Sequence, residues 1–246
     1  MKFSTLPRCT HRAVFDLGRL QRGRFSLRRS LLVFVLLGCI AVSIAMMAVA
    51  VGRSPEFLSQ HGARIVVLEP VGAFLVYAVA IVFIVRTHGP YSDTILKVAT
   101  VFGLLTGALE VINIGIENGI PFAVRGQIVS VSFILVLFTS WGIAGFRTAR
   151  SLRSTRAALL AAVLSAAICM VFAVTAGFVV QFFVAPPEPT YVSTWAEYQR
   201  SGWTDARAFG IANTLDSAFT HILVAPIVAT IVGGIGALLA RFRDRH

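Results

Sequence analysis

Six long apolar runs constrain this chain more than any other feature of its sequence. They cover residues 30–51, 65–85, 94–116, 128–146, 157–184 and 217–240. An α-helix needs about 20 apolar residues to cross about 30 Å of hydrocarbon. The apolar residues are continuous rather than alternating, which favours helices over the strands of a membrane barrel. The sequence therefore predicts an all-α, polytopic integral membrane protein built as a bundle of six transmembrane helices.

The composition agrees with a membrane domain and leaves no stretch for a separate soluble one. Hydrophobic residues make up 57% of the 246 residues and charged residues only 13%, whereas soluble domains are about half apolar and a quarter charged. A net charge of +11 suggests nucleic acid in a soluble protein. Here the basic residues flank the apolar runs, so we expect no nucleic-acid partner. We divide the chain into a basic segment, 1–29, and a six-span domain, 30–246, with a longer connection at 185–216.

Lys and Arg are concentrated on one side of the predicted bundle. With the N-terminus in the cytoplasm, the inner segments hold 17 of these residues and the outer segments hold 5. Cytoplasmic segments of membrane proteins are enriched in Lys and Arg. We therefore expect both termini in the cytoplasm, a multi-pass protein in the inner membrane of a bacterium, and basic segments that contact anionic lipids of the inner leaflet of the bilayer. Residues 1–29 are either a disordered anchor or an interfacial helix.

The third run contains acidic residues at a depth where hydrocarbon disfavours charge. On a helix, Glu110, Asn113 and Glu117 share one stripe with Gly103 and Gly107, and the opposite face is apolar. Ionisable groups in a membrane normally face the protein interior or a water-filled cavity, and the glycine spacing permits close contact with another helix. We expect the stripe to face the protein and Glu117, near its outer end, to be merely solvated.

Strongly polar side chains of the other runs lie in the same predicted outer half. His221 lies about one turn from the outer end of the sixth run, Gln181 near the end of the fifth, and Glu69 near the start of the second. We expect Glu110, Asn113 and His221, with Gln181 and Glu69, to form an outward-facing pocket that binds a substrate or a proton. The alternative is that Glu110 only ties two helices together.

Proline and small residues predict how the last two runs pack. Pro226 lies five residues after His221; because proline lacks an N–H, we predict a kink there that acts as a hinge or a packing device. The fifth run carries a stripe of small residues that predicts a helix-packing seam: Ala158, Ala162, Ala166, Cys169, Ala173 and Gly177.

The long connection carries signals for short helices. Thr194 and Glu197 fit a capping box. Either Thr204 or Asp205 fits the cap of a further helix that leads into the sixth run. Four aromatic residues of this segment suit an aromatic belt at the headgroup level better than a ligand lid: Trp195, Tyr198, Trp203 and Phe209.

No motif indicates a metal or a cofactor. Cys9, Cys39 and Cys169 form no CxxC pair. A haem at His221 would normally need a second axial ligand at the same depth, and His61 is the only outer histidine besides it. We expect neither a metal nor a cofactor.

Three functions are compatible with these features. A small-solute or lipid transporter or permease best explains an outer polar pocket. The layout of a basic N-terminal segment, six spans and a longer fifth connection resembles the membrane subunits of ATP-driven exporters, which would imply a cytoplasmic ATPase as partner. The alternatives are a non-catalytic subunit or assembly factor that contacts other membrane subunits, and a membrane-embedded enzyme that uses Glu110 and His221 for acid–base chemistry.

Overall fold

The computed structural model describes the backbone of residues 10–86, 91–119 and 122–243, and the side chains of 29–84, 91–118 and 131–243. The described residues form helices and no strand. In chain order the helices are α1 (Thr10–Gly52), α2 (Ala63–Arg86), α3 (Ser92–Gly119), α4 (Phe122–Leu152), α5 (Thr155–Val179), α6 (Pro189–Val192), α7 (Ala196–Ser201) and α8 (Ala206–Arg243). A 3₁₀ turn, Phe57–Ser59, precedes α2, and a π-helical turn, Val180–Val184, extends α5.

Six of these helices are long and apolar enough to cross a membrane, which confirms the predicted number and type of spans. The spans are Arg29–Gly52, Ala63–Ile84, Ser92–Asn118, Val131–Leu152, Thr155–Val184 and Ala206–Arg243. The protein is therefore a multi-pass, all-helical integral membrane protein. The basic segment is helical from Thr10 onward and continuous with the first span; its side chains up to residue 28, and all of residues 1–9, lie outside the described residues.

Helix α8, which forms the sixth span, begins at Ala206, as predicted for a helix that leads into the sixth apolar run. Asp205 caps it, because its Oδ1 accepts hydrogen bonds from the backbone N–H groups of Arg207 (2.8 Å) and Ala208 (3.3 Å). The predicted capping box is wrong: the N-cap of α7 is Trp195, without a side-chain cap. The hydroxyl of Thr194 instead donates to the carbonyl of Tyr191 (2.7 Å), since the preceding short helix offers that acceptor one turn back.

The two ends of the bundle differ in their connections. The long-loop end carries the segment 185–205. This segment contacts the α1–α2 connection, because the backbone N–H of Thr204 donates to the side chain of Gln60 (3.0 Å). At the opposite end, Arg29 pairs with Asp93 at the start of α3. We call this the arginine end, because it also carries Arg147, Arg150, Arg153, Arg156, Arg241 and Arg243.

Helix α5 is the centre of the bundle. In its most apolar window 72% of the residues are buried, against 17–33% in the other spans. Its small-residue stripe confirms the predicted seam, since Ala158, Ala162, Ala166 and Cys169 have no exposed surface. Helix α3 packs closely on it at Gly103, where an added Cβ would lie 2.8 Å from the Ser165 carbonyl oxygen.

The apolar face of α3 is turned away from α5, as predicted. Leu104, Leu105, Val111 and Ile112 are between 41% and 54% exposed, whereas Thr106 on the other face is buried. In a membrane, exposed leucine and isoleucine side chains contact lipid tails. The stripe that carries Glu110 therefore lies on the protein side of the helix.

Backbone contact joins α4 and α8 in the half of the bundle nearer the arginine end. A Cβ added to Gly145 would lie 2.5 Å from the carbonyl oxygen of Gly233. A Cβ added to Gly236 would lie closer still to the carbonyl oxygen of Gly142. Glycine permits such a close approach of two helices. This part of α8 is therefore closely packed on α4, whereas another part of the helix lines the candidate site.

Candidate functional site

A cavity of about 450 Å³ lies at the long-loop end, between α3, α5, α8 and the segment that follows α5. Its apolar wall includes Met170, Val174 and Phe178. Its polar lining consists of Glu117, Asn118, Gln181, Asn213, Thr214, Ser217 and His221. Small-molecule sites commonly have this size, with apolar walls and a few polar groups.

Two amide side chains join α3 to the end of α5 beside the cavity. Asn118 donates from Nδ2 to the carbonyl of Ile114 (2.8 Å), which leaves its Oδ1 to accept from Nε2 of Gln181 (2.9 Å). Gln181 belongs to the π-helical turn, which is closed by the bond from the Ala185 N–H to the Val180 carbonyl (2.8 Å). Such turns change which face of a helix a residue occupies and are frequent at functional sites.

Helix α8 supplies a column of polar groups. Asn213, Ser217 and His221 are spaced by four residues, so they share one face of the helix. Nδ1 of His221 lies 2.7 Å from the carbonyl oxygen of Ser217. Because a carbonyl oxygen can only accept, Nδ1 carries a proton, and Nε2 is the nitrogen left to exchange a proton or bind a ligand.

Glu110 and Asn113 lie outside the lining, farther along α3 from the long-loop end. Their side chains share a hydrogen bond, and Glu110 interacts electrostatically with both His221 and Glu117. Among the described residues, Oδ1 of Asn113 is buried without a hydrogen-bond partner. His221 therefore lines the cavity and also interacts electrostatically with Glu110, which lies beside it.

The structure thus brings together some of the predicted site residues and not others. His221 and Gln181 line the cavity, and Glu110 and Asn113 lie beside it in contact with each other. Glu69, partly buried on α2, lines neither this cavity nor the second one described below.

Sequence reasoning missed several lining residues. Glu117 is exposed, as expected of a solvated group, but it lines the cavity; its place on the Glu110 stripe was the available signal. Tyr191 and Trp195 also line it, with ring centroids 5.8 Å apart in an edge-to-face arrangement. Of these two, Trp195 belongs to the predicted aromatic belt, and nothing in its sequence position distinguishes a belt from a cavity wall.

Pro226 lies within α8, just beyond His221. It has no N–H to donate to the carbonyl of Ile222, and the hydroxyl of Tyr77 on α2 donates to that oxygen instead (2.7 Å). The helix is continuous through the proline, from Ala206 to Arg243. The hinge at Pro226 stays a prediction.

A second, smaller cavity of about 260 Å³ adjoins the first. It lies between the end of α1, the π-helical turn and the start of α8, and Arg53, Arg207 and Glu188 line it. Gln181, Pro187 and Thr214 line both cavities. These three residues therefore lie between the larger cavity and the smaller, arginine-lined cavity.

Comparison with protein-family models, curated proteins and solved structures found no match. Within the described residues, no three His, Cys, Asp or Glu side chains are grouped as metal ligands would be.

Proposed function

We propose that the protein is a transporter or permease for a small solute or lipid, and that the larger cavity is its substrate-binding pocket. The observation that carries this proposal is the position of His221. It lines the cavity and interacts electrostatically with Glu110 within the third span. Protonatable groups inside a membrane commonly mark ion or proton pathways, so binding in the cavity and protonation of Glu110 would influence each other.

The packing of α8 supports a mechanism in which one half of the helix moves while the other half stays packed on α4. Residues 213–221 line the cavity, whereas Gly233 and Gly236 are in backbone contact with α4. Pro226 lies between the two regions and lacks the backbone hydrogen bond that would stiffen the helix there. We propose that the helix bends at this point to open and close the pocket.

The distribution of arginine supports an outward-facing pocket. Arginines dominate the arginine end, while the described side chains of the long-loop end include Arg53, Arg64, Arg200 and Arg207. Because Lys and Arg are enriched on the cytoplasmic side of membrane proteins, we propose that both termini lie in the cytoplasm and that the cavity opens on the outer face. A bacterial cytoplasmic membrane is the setting that we propose on the same ground.

Liposomes that contain the purified full chain and a trapped pH-sensitive dye test this function. Amino acids, sugars, organic cations and lysolipids are added outside one class at a time, and proton entry is recorded. We expect at least one class to drive proton entry, and Glu110→Gln and His221→Gln to abolish it. Glu69→Gln is the matched control, since that acid lines neither cavity. No response to any class, or equal rates in the Glu110 variant, would overturn the proposal.

A role as a subunit of a larger membrane complex is the second candidate. Helix α2 favours it, because only 17% of its most apolar window is buried, the lowest share of the six spans. Val76 and Val79 are 67% and 70% exposed there. Under this function the isolated protein is inactive in liposomes, and a membrane subunit or an ATPase co-purifies with it and restores flux.

A further inference from the structure

We propose that the second cavity binds the phosphate group of an anionic lipid in the leaflet at the long-loop end. This site adjoins the proposed transport pocket and shares Gln181, Pro187 and Thr214 with it, but its two arginines do not line that pocket. The proposal does not depend on the transport function. Two arginines from different spans line this cavity: Arg53 directly follows the last residue of α1, and Arg207 lies in the first turn of α8.

Both guanidinium groups are available to a ligand. Arg53 and Arg207 are exposed, and neither forms an ion pair with a carboxylate among the described residues. Arg200 at the same end differs, because it lies 4.0 Å from the carboxylate of Glu197 and donates to the carbonyl of Ala196. Two arginines against the single carboxylate of Glu188 leave the described lining of the cavity with an excess of positive charge.

The geometry suits phosphate better than a diffuse counterion. Arg53 lies over the ring of Phe183, with its central carbon 5.2 Å from the ring centroid, and this contact restricts the guanidinium. A restricted guanidinium presents parallel N–H groups that match two oxygens of one phosphate. Arg207 would supply further donors from the other side of the cavity.

The surroundings suit a lipid better than a free anion. Ala50, Phe182 and Ile211 add apolar surface to the lining. Val49 and Val184, next to the cavity in sequence, are 43% and 70% exposed. Arginine at the end of a span reaches the headgroup level while its stem lies along hydrocarbon. A phosphate held by both arginines would therefore have its acyl chains against these exposed residues.

Native mass spectrometry of the full chain released from detergent tests this proposal. Phosphatidylglycerol is added alone, with equimolar phosphatidylcholine, or with a large excess of inorganic phosphate. We expect retention of phosphatidylglycerol in preference to phosphatidylcholine, and no displacement by inorganic phosphate. The double variant R53Q/R207Q should bind phosphatidylglycerol about tenfold more weakly or worse, because it loses charge-assisted hydrogen bonds.

The control is R64Q/R200Q, which removes the same charge from the same end but from residues that do not line the cavity. It should retain phosphatidylglycerol like the unchanged protein, and circular dichroism should show unchanged helix content in both double variants. Equal losses in the two double variants would overturn the proposal in favour of general surface charge. Equal retention of the two lipids would overturn it as well, and full displacement by inorganic phosphate would assign the site to a free anion.

Discussion

The hydroxyl of Tyr77 on α2 donates a 2.7 Å hydrogen bond to the backbone carbonyl of Ile222 on α8. In an uninterrupted helix, that carbonyl would accept from the N–H of residue 226, which is Pro226 and has none. A carbonyl without a partner is costly in the membrane interior. The Tyr77 hydroxyl therefore replaces the hydrogen-bond donor that the proline lacks, and it links α2 to α8 at the predicted hinge.

The first prediction is that Tyr77→Phe matters only while the proline is present. Removing the hydroxyl should cost about 1 kcal/mol of unfolding free energy, since it leaves a buried carbonyl without a donor. In a Pro226→Ala background, the backbone N–H that the substitution restores can bond to the Ile222 carbonyl, so the same change should cost much less. A double-mutant cycle from unfolding in mixed detergent micelles measures this coupling. Equal costs in the two backgrounds would show that the hydrogen bond does not compensate for the proline.

The second prediction concerns the backbone contact of α4 and α8. Gly145→Ala places a Cβ 2.5 Å from the Gly233 carbonyl oxygen, which is backbone and cannot turn aside. We expect a loss of about 1–3 kcal/mol in unfolding free energy from this overpacking. Gly115→Ala is the control, since nothing lies within 4 Å of its added Cβ, and relief of the helical glycine should stabilise by about 0.5–1 kcal/mol. Similar melting temperatures for the two variants would contradict the close approach.

The third prediction tests whether water reaches the floor of the cavity. His221 and Leu223 are both exposed and lie at nearly the same depth on α8, but only His221 lines the cavity. Maleimides react with the thiolate, which forms in water and not in hydrocarbon. With the native cysteines replaced, a membrane-impermeant maleimide should label His221→Cys in intact cells and spare Leu223→Cys. Labelling of both residues, or of Leu223→Cys alone, would contradict a water-filled cavity on the outer face.

Much of the fold could be predicted because a chain that crosses hydrocarbon can adopt few backbone structures. A continuous apolar run of about 20 residues must become a helix in a membrane, so the six spans followed from the sequence alone. The lipid-facing side of α3 followed from helical periodicity, with Leu104 and Ile112 on one face and Thr106 on the other.

The site could be predicted only in part, because its geometry depends on contacts between helices. Helical periodicity predicts that Glu110 and Glu117 lie on one stripe, but it does not predict which of the two lines a cavity. The π-helical turn shifts the face on which Gln181 lies. No single residue in the sequence predicts such a turn. Trp195 joins the lining only because the segment after α5 folds back over α8, a tertiary arrangement that composition does not encode.

The last prediction fixes the direction of the bundle in the membrane. If the arginine end is cytoplasmic, the segment 185–205 faces outward, and trypsin added to spheroplasts should cleave after the exposed Arg200 in α7. A green fluorescent protein fused after the C-terminus should fluoresce and appear on a shortened fragment after this cleavage. R200Q/R207Q is the control: it removes the two exposed trypsin sites around the start of α8, so the fragment should disappear. Cleavage in inside-out vesicles but not in spheroplasts would reverse the orientation and place the cavity on the cytoplasmic face.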